Sequence, residues 1–268
     1  MPELPEVETV RQTLKTLVNG KTIVDVHVYW SNCVMTKNFE KNLIGQTIHN
    51  ILRYGKYLVF VLDQHVMVSH LRMEGKYYLH QKRAPSNHEH VVFDLHTNES
   101  LTYHDTRKFG KFELIDKNTY LKVPPLSVLG KEPKDMDPIA LYKRLKQKRI
   151  PVKMALLDQH LIAGLGNIYV DETLFRAGIH PEKKCYRLTK KDVNHIVYHA
   201  INVLSYAIEL GGSTIRTYHS MHGVDGKFQN ELKVHTKKDM PCEVCHTPII
   251  KIKVGGRGTY VCPTCQRK

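Results

Sequence analysis

The sequence predicts an α+β protein: an N-terminal helix leads into a β-rich half, a helical half follows, and a small cysteine-bearing module ends the chain. Three observations carry that expectation. Apolar residues recur at helical spacing over the first 18 positions. Short runs rich in Val, Ile, Tyr and Phe, broken by turn residues, occupy positions 21–116. Helical spacing then returns beyond a proline-rich stretch at 122–138.

In the first helix Val7, Val10, Leu14, Leu17 and Val18 fall on one stripe. Pro5 suits a first turn, where its missing N–H costs nothing, and Glu6 and Glu8 complement the positive helix end. Asn19-Gly20 supplies the stop. The runs KTIVDVHVYW, QTIHNILRY, KYLVFVL, HVMVSHL, HVVFDL and SLTYHD predict closely spaced strands, hence an antiparallel sandwich over residues 1–121. The segment 122–138, KVPPLSVLGKEPKDMDP, carries four prolines and reads as an interdomain linker. IALYKRLKQK, IPVKMALLDQHL, NIYVDETLFRAG and LTKKDVNHIVYHAINVLSYAIEL are helix candidates within a helical domain at 139–231. The Gly-, Ser- and His-rich residues 211–230 read as a mobile surface loop, and residues 232–268 as a small basic module.

Lys and Arg outnumber Asp and Glu by 40 to 26, a formal charge of +14 on 268 residues. Such a surplus favours a polyanionic partner, nucleic acid before a membrane surface, although a generally basic enzyme has the same balance. A hydrophobic content of 41% permits a packed core. No apolar run reaches the roughly 18–20 residues of a membrane span, and the acidic start MPELPEVETV lacks the features of a secretory leader. A cytosolic chain is expected, where disulfides are rare.

The cysteines therefore need another explanation. Cys242-x2-Cys245 and Cys262-x2-Cys265 lie 16 residues apart, and each pair presents two thiolates to one metal. The spacing predicts one structural zinc, closed to catalysis because all four positions are filled. Metal binding would then fold a module too short to bury a core. Cys33 and Cys185 have no such partners and read as plain thiols. In VGGRGTYVC, Gly255, Gly256 and Gly258 place Arg257 at a tight turn, as a phosphate contact or merely a solvated hairpin residue.

Pro2 follows the initiator Met, and a small second residue generally allows that Met to be removed. The exposed secondary amine would condense with an aldehyde carbon to an iminium, an electron sink that acidifies the adjacent C–H. A helix dipole behind it would disfavour its cationic form, and Glu3 and Glu6 lie close enough in sequence to exchange protons with it. Taken alone, the same residues read as an ordinary helix start.

MPELPEVETV, GNIYVDETLFRAGIHP and CEVC…GRGTYVCPTC together resemble the formamidopyrimidine-DNA glycosylases, along the whole chain. Leu4 and Val7 favour the oxidised-purine branch over the endonuclease VIII type, whose members usually carry Gly after Met-Pro-Glu. The resemblance implies an N-terminal β-sandwich with its helix, then a helical helix-two-turn-helix domain ending in a four-cysteine zinc finger. It implies a bifunctional glycosylase and abasic-site lyase of base excision repair, acting on 8-oxoguanine and formamidopyrimidines in damaged duplex DNA. It also implies a monomer in the bacterial cytoplasm, associated with the nucleoid through DNA.

By the same resemblance, Pro2 attacks C1′ of the damaged nucleotide, Glu3 protonates the substrate, and Glu6 places protons or water nearby. Lys56 matches the proton donor of β-elimination, although a Lys inside a strand otherwise reads as solvent-facing. Arg257 matches the arginine of δ-elimination. Met73, Arg107 and Phe109 match the set that fills the gap left by a flipped nucleotide, although Met73 and Phe109 also suit a strand core. His88, Lys148, Lys153 and Asn167 match positions that contact DNA phosphates or the lesion; Asn167 follows Gly164 and Gly166 at a helix start, a natural phosphate site. Arg72 and Glu74, flanking Met73, depart from the smaller residues common there. Two alternatives stay open: an oxidised-pyrimidine glycosylase of the same chemistry, and a non-catalytic zinc-dependent DNA-binding protein.

Overall fold

The computed structural model describes residues 2–213 and 226–268. They form two compact units, Met1–Val128 with Gly211–Gly226, and Leu129–Leu210 with Lys227–Lys268. The division at 128/129 falls inside the proline-rich segment.

In the first unit α1 (Leu4–Val18) carries Pro5 in its first turn and ends at Asn19, with Gly20 just beyond at φ +80°. Val7, Val10, Leu14 and Val18 are buried, as the stripe requires. Then come β1 (Ile23–Val28), the short α2 (Phe39–Leu43), β2 (Asn50–Tyr54), β3 (Tyr57–Val61) and β4 (His65–His70). They are followed by β5 (Lys76–Gln81), β6 (Glu89–Leu95), β7 (Glu99–His104) and β8 (Lys111–Asp116). The strands build two antiparallel sheets, ordered β1-β6-β7-β5 and β2-β3-β4-β8. Between them Phe39, Phe60, Tyr77, Phe93, Tyr103 and Phe112 form the centre of one core, with Tyr103 and Phe112 edge-to-face at 4.8 Å.

Strands β5 and β8 escape the sequence pattern. Each is the last strand of its sheet, and β5 buries only one of its six side chains, Tyr77. An edge strand with so little burial shows no alternation to read.

In the second unit α3 (Pro138–Lys146) starts at Asp137, whose carboxylate caps the N–H groups of Ile139 and Ala140. α4 (Val152–Leu156) follows, then α5 (Asn167–Arg176) and α6 (Lys190–Glu209), the last opened by a Thr189–Asp192 capping box. α4 is far shorter than the helix expected over 150–161. Beyond it the Gln159 side chain binds the carbonyls of Leu157 and Leu165 and the N–H of Gly164, so a compact loop replaces helical hydrogen bonds while burying Leu161, Ile162 and Leu165. The chain ends in the hairpin β9 (Ile250–Val254) and β10 (Arg257–Val261). The cysteine module belongs to this unit: Phe175 of α5 packs against Val234, Cys242, Ile249 and Cys262. No helix among the described residues is long and apolar enough to cross a membrane.

Candidate active site

Pro2 is buried and immediately precedes Glu3, the N-cap of α1. Glu3 and Glu6 retain only 2% and 4% exposure, so both side chains are shielded from solvent. Glu6 Oε2 accepts the Glu3 N–H at 2.8 Å. Its Oε1 accepts the Ser213 N–H at 2.7 Å and the Ser213 hydroxyl at 3.1 Å. Both oxygens of Glu6 are thus engaged, and its carboxylate ties the Glu3 backbone to residue 213. Gly212 is obligatory beside it: its φ is +80°, and a Cβ there would stand 2.9 Å from Glu6 Oε1.

Lys56 is not a strand residue. It occupies the two-residue turn between β2 and β3, after Gly55 at φ +56°, and is 6% exposed. The expectation of a solvent-facing strand lysine fails because Gly55 reverses the chain and turns Lys56 inward. Arg53 fixes this turn by donating to the Gly55 carbonyl at 2.9 Å while its Nε binds Glu8 of α1, also at 2.9 Å. Burial alone would raise the Glu8 carboxyl, but hydrogen bonds from Arg11 and Arg53 outweigh it and hold the group below its ordinary value. α1 and the lysine turn are therefore registered through one ion-pair bridge. Beside them His70 is nearly buried, and burial, then Arg72, then Lys56 push its imidazolium down to about 3. Its Nδ1 accepts the Arg72 N–H at 2.9 Å, which leaves Nε2 as the protonated nitrogen.

Met73 and Phe109 are brought together, and neither is a core residue: Phe109 is 48% exposed, and with Met73, Arg72 and Lys111 it lines one surface hollow. Asp105 shapes the loop that carries Phe109. Its Oδ1 accepts the Arg107 N–H at 3.0 Å, and its Oδ2 accepts those of Phe109 and Gly110, each at 2.9 Å. The Arg107 guanidinium lies over the Phe109 ring at 5.0 Å. Glu74 ties the Met73 turn to the same loop, accepting the Thr106 hydroxyl at 2.5 Å. His88 is exposed, at φ +69°, with its ring 5.7 Å from that of His104.

In the second unit Arg257 is exposed and opens β10, just past Gly255 and Gly256 at φ +54° and +80°. A Cβ on Gly255 would collide with Met154 Sδ at 2.1 Å, so the hairpin tip lies directly on α4. Asn167 begins α5, and its Nδ2 donates to the Gly258 carbonyl at 3.0 Å. Lys148 is half-buried between α3 and α4. Lys153 differs from expectation. A residue placed at the DNA surface by resemblance has a fully buried side chain, because its ammonium binds Asp171 at 2.7 Å and the Gly258 carbonyl at 3.3 Å.

The thiol sulfurs of Cys242, Cys245, Cys262 and Cys265 all lie within 4.8 Å of one another. Two of the separations are 3.9 and 3.4 Å. A tetrahedral shell with Zn–S bonds of about 2.3 Å has edges near 3.8 Å, so these residues fit zinc in a closed shell. Cys33 and Cys185 are buried apart from it, and burial pushes each thiol up to about 11, away from reactivity.

Three family models match successive parts of the chain: the formamidopyrimidine-DNA glycosylase N-terminal domain over residues 1–112, its H2TH domain over 129–219, and a zinc finger found in FPG and IleRS over 241–267. Proteins named formamidopyrimidine-DNA glycosylase from Bacillus licheniformis and Bacillus subtilis are 50% and 49% identical, each match covering all of both chains. The chain belongs to the formamidopyrimidine-DNA glycosylase family. Solved structures agree. A Lactococcus lactis FPG mutant in complex with Fapy-dG-containing DNA superimposes with a TM-score of 0.94 at 43% identity. The Lactococcus lactis Fpg in complex with abasic-site DNA gives 0.94 at 44%, and both comparisons cover the full length of each chain. A formamidopyrimidine-DNA glycosylase is a DNA-repair glycosylase, and the sandwich, H2TH domain, four-cysteine finger and single structural zinc are those of this family.

Within each unit the structure adds residues that the sequence did not single out. Asp105 had a readable signal, an Asp opening the turn DTRKFG. Ser213 and Asp171 had none, since their partners lie far away in the chain, and the burial of His70 depends on the packing of its sheet.

Proposed function

We propose that this protein is a bifunctional DNA glycosylase and abasic-site lyase that removes 8-oxoguanine and formamidopyrimidines from duplex DNA. The observation that carries this reading is the buried Pro2–Glu3 pair at the start of α1, with Glu6 bracing Glu3. With Met1 removed, the Pro2 nitrogen attacks C1′ of the flipped nucleotide. The C1′–N bond breaks, the base leaves with the bonding pair, and Glu3 supplies the proton that the substrate takes up. Burial and the helix end disfavour a charged amine, keeping the nitrogen nucleophilic.

Opening of the sugar leaves an iminium at C1′, and the C2′–H beside it becomes acidic. Loss of that proton expels the 3′ phosphate, with Lys56 as proton donor. A second proton loss, at C4′, expels the 5′ phosphate, with Arg257 as donor, and water frees Pro2 from the sugar fragment. Met73 and Phe109, on one hollow, are suited to wedge into the vacated stack, and Arg107 to pair with the orphaned cytosine. We assign His88, Lys148 and Asn167 to contacts with DNA phosphates or the lesion. Lys153 serves this reading indirectly, through the Arg257 hairpin. We assign these roles to a catalytic domain at 1–121 and a DNA-binding domain at 139–231, joined by the linker at 122–138, with the finger at 232–268. The zinc holds the finger and takes no part in the chemistry.

Borohydride trapping on abasic-site DNA tests the nucleophile. A covalent adduct is expected, lost when the N-terminal amine is blocked; an undiminished adduct overturns the assignment. Excision from matched duplexes tests the substrate, and a preference for thymine glycol over 8-oxoguanine would move the protein to the oxidised-pyrimidine reading.

A further inference from the structure

We infer that Asp171, through Lys153, positions the hairpin that carries Arg257 and thereby governs the second elimination; the inference rests on the δ-elimination role proposed for Arg257. Asp171 and Lys153 are both without exposed side-chain surface. Asp171 Oδ1 accepts from Lys153 Nζ at 2.7 Å. Its Oδ2 accepts the Tyr260 N–H at 3.2 Å and the His235 Nδ1–H at 2.9 Å. Lys153 Nζ in turn reaches the Gly258 carbonyl, which Asn167 also holds at 3.0 Å.

Gly258 and Tyr260 are the first and third residues after Arg257 in β10, so one buried carboxylate sets both backbone points that follow the arginine. The neighbouring Glu172 adds a second clamp. It accepts the N–H groups of Lys233, Val234 and His235, and fixes the segment that presents His235 to Asp171. An ion pair sealed from water contributes little net stability over an apolar pair of the same volume. What it adds is direction: the ammonium must point at the Gly258 carbonyl, and Arg257 inherits that placement. A donor displaced by about 1 Å can lose on the order of 100-fold in rate, whereas the Pro2 chemistry, built on α1, does not depend on this network. Asp171 and Lys153 are therefore positioning residues that need not touch DNA.

The test compares β- and δ-elimination products on abasic-site duplex in single turnover, using the zinc-loaded full chain. Asp171→Asn, Lys153→Met and the apolar pair Lys153→Met with Asp171→Leu are measured beside Arg257→Gln. The δ product is expected to fall about 10- to 100-fold in all of them. In the Asp171 and Lys153 variants borohydride trapping and one zinc per chain should be kept, and adding Asp171→Asn to Arg257→Gln should cause no further loss of the δ product. The apolar pair keeps the test valid if a single variant leaves a buried charge unpaired and unfolds. A wild-type δ yield in the folded apolar pair, with Arg257→Gln impaired, overturns the inference alone. Equal losses of trapping and δ product overturn it as well. An Arg257→Gln enzyme with full δ yield instead overturns the role of Arg257 on which it stands.

Discussion

Glu6 and Ser213, 207 positions apart, share two hydrogen bonds through one carboxylate oxygen, while the other oxygen holds the Glu3 N–H. The start of α1 and residue 213 are thereby fixed to each other. Glu6→Ala would leave these buried donors unpaired, at about 1–3 kcal/mol for each group, and should destabilise the protein by about 3 kcal/mol in urea unfolding. Glu6→Gln keeps one acceptor oxygen and should lose about half as much. Borohydride trapping should slow in the same order, because Glu3 loses its brace. Full trapping by a folded Glu6→Ala enzyme would show that Glu3 needs no support from Glu6.

The Arg53 bridge makes a separate prediction for Lys56. Lys56→Ala should retain base release while strand nicking falls by about 10²–10⁴, the usual contribution of a placed proton donor. Arg53→Ala keeps the lysine but frees the Gly55 turn from Glu8, and nicking should fall by about tenfold. Denaturing gels with and without alkaline cleavage separate the two steps. Equal losses of base release and nicking in Lys56→Ala would remove the lysine from a lyase-specific role.

How far these sites were legible depends on the range of the interactions that make them. The stripe Val7–Val10–Leu14–Val18 and the spacing Cys242–Cys245–Cys262–Cys265 are local in sequence, and both structures follow from them directly. Lys56 and Lys153 were found as residues but misplaced as surfaces. Turn geometry set by Gly55, and a partner 18 positions away at Asp171, decide their burial. Edge strand β5 was invisible because pairing, rather than an apolar face, defines it.

Acid stability should carry the imprint of His70. In the unfolded chain this imidazole takes a proton below about 6.5, whereas in the folded protein it resists until about 3. The unfolded state therefore binds the extra proton between those values, and stability rises with pH across that window and is lost as pH falls from 6.5 toward 3. Burial also lowers His104, His180 and His199, so His70→Gln should flatten the acid limb without abolishing it. Glu8, held below its ordinary 4.5, keeps its contribution above about 4.5, so the part of the limb between 6.5 and 4.5 reports the histidines without it. Urea midpoints measured from pH 7 to pH 4 provide the check; an unchanged slope in a folded His70→Gln protein would place the proton uptake elsewhere.

Removing zinc should act on one part of the chain only. Cys242 and Cys262 belong both to the four-sulfur group and to the apolar cluster of Phe175, Val234 and Ile249, so metal loss would charge or free thiols inside a small apolar core. A module of this size has little other stabilisation, and metal binding provides much of its folding energy. Chelation should open residues 241–267 to protease and release the β9–β10 hairpin, and with it Arg257. Affinity for duplex DNA should then drop, and its salt dependence should become shallower as phosphate contacts are lost. The sheets of the first unit enclose a core of their own and should keep their hydrogen-exchange protection. Zinc release followed by a metallochromic dye, alongside binding isotherms at several salt concentrations, gives the comparison. Undiminished affinity in metal-free protein would take the hairpin out of DNA binding, and lost protection in β1–β8 would mean that the two units do not fold independently.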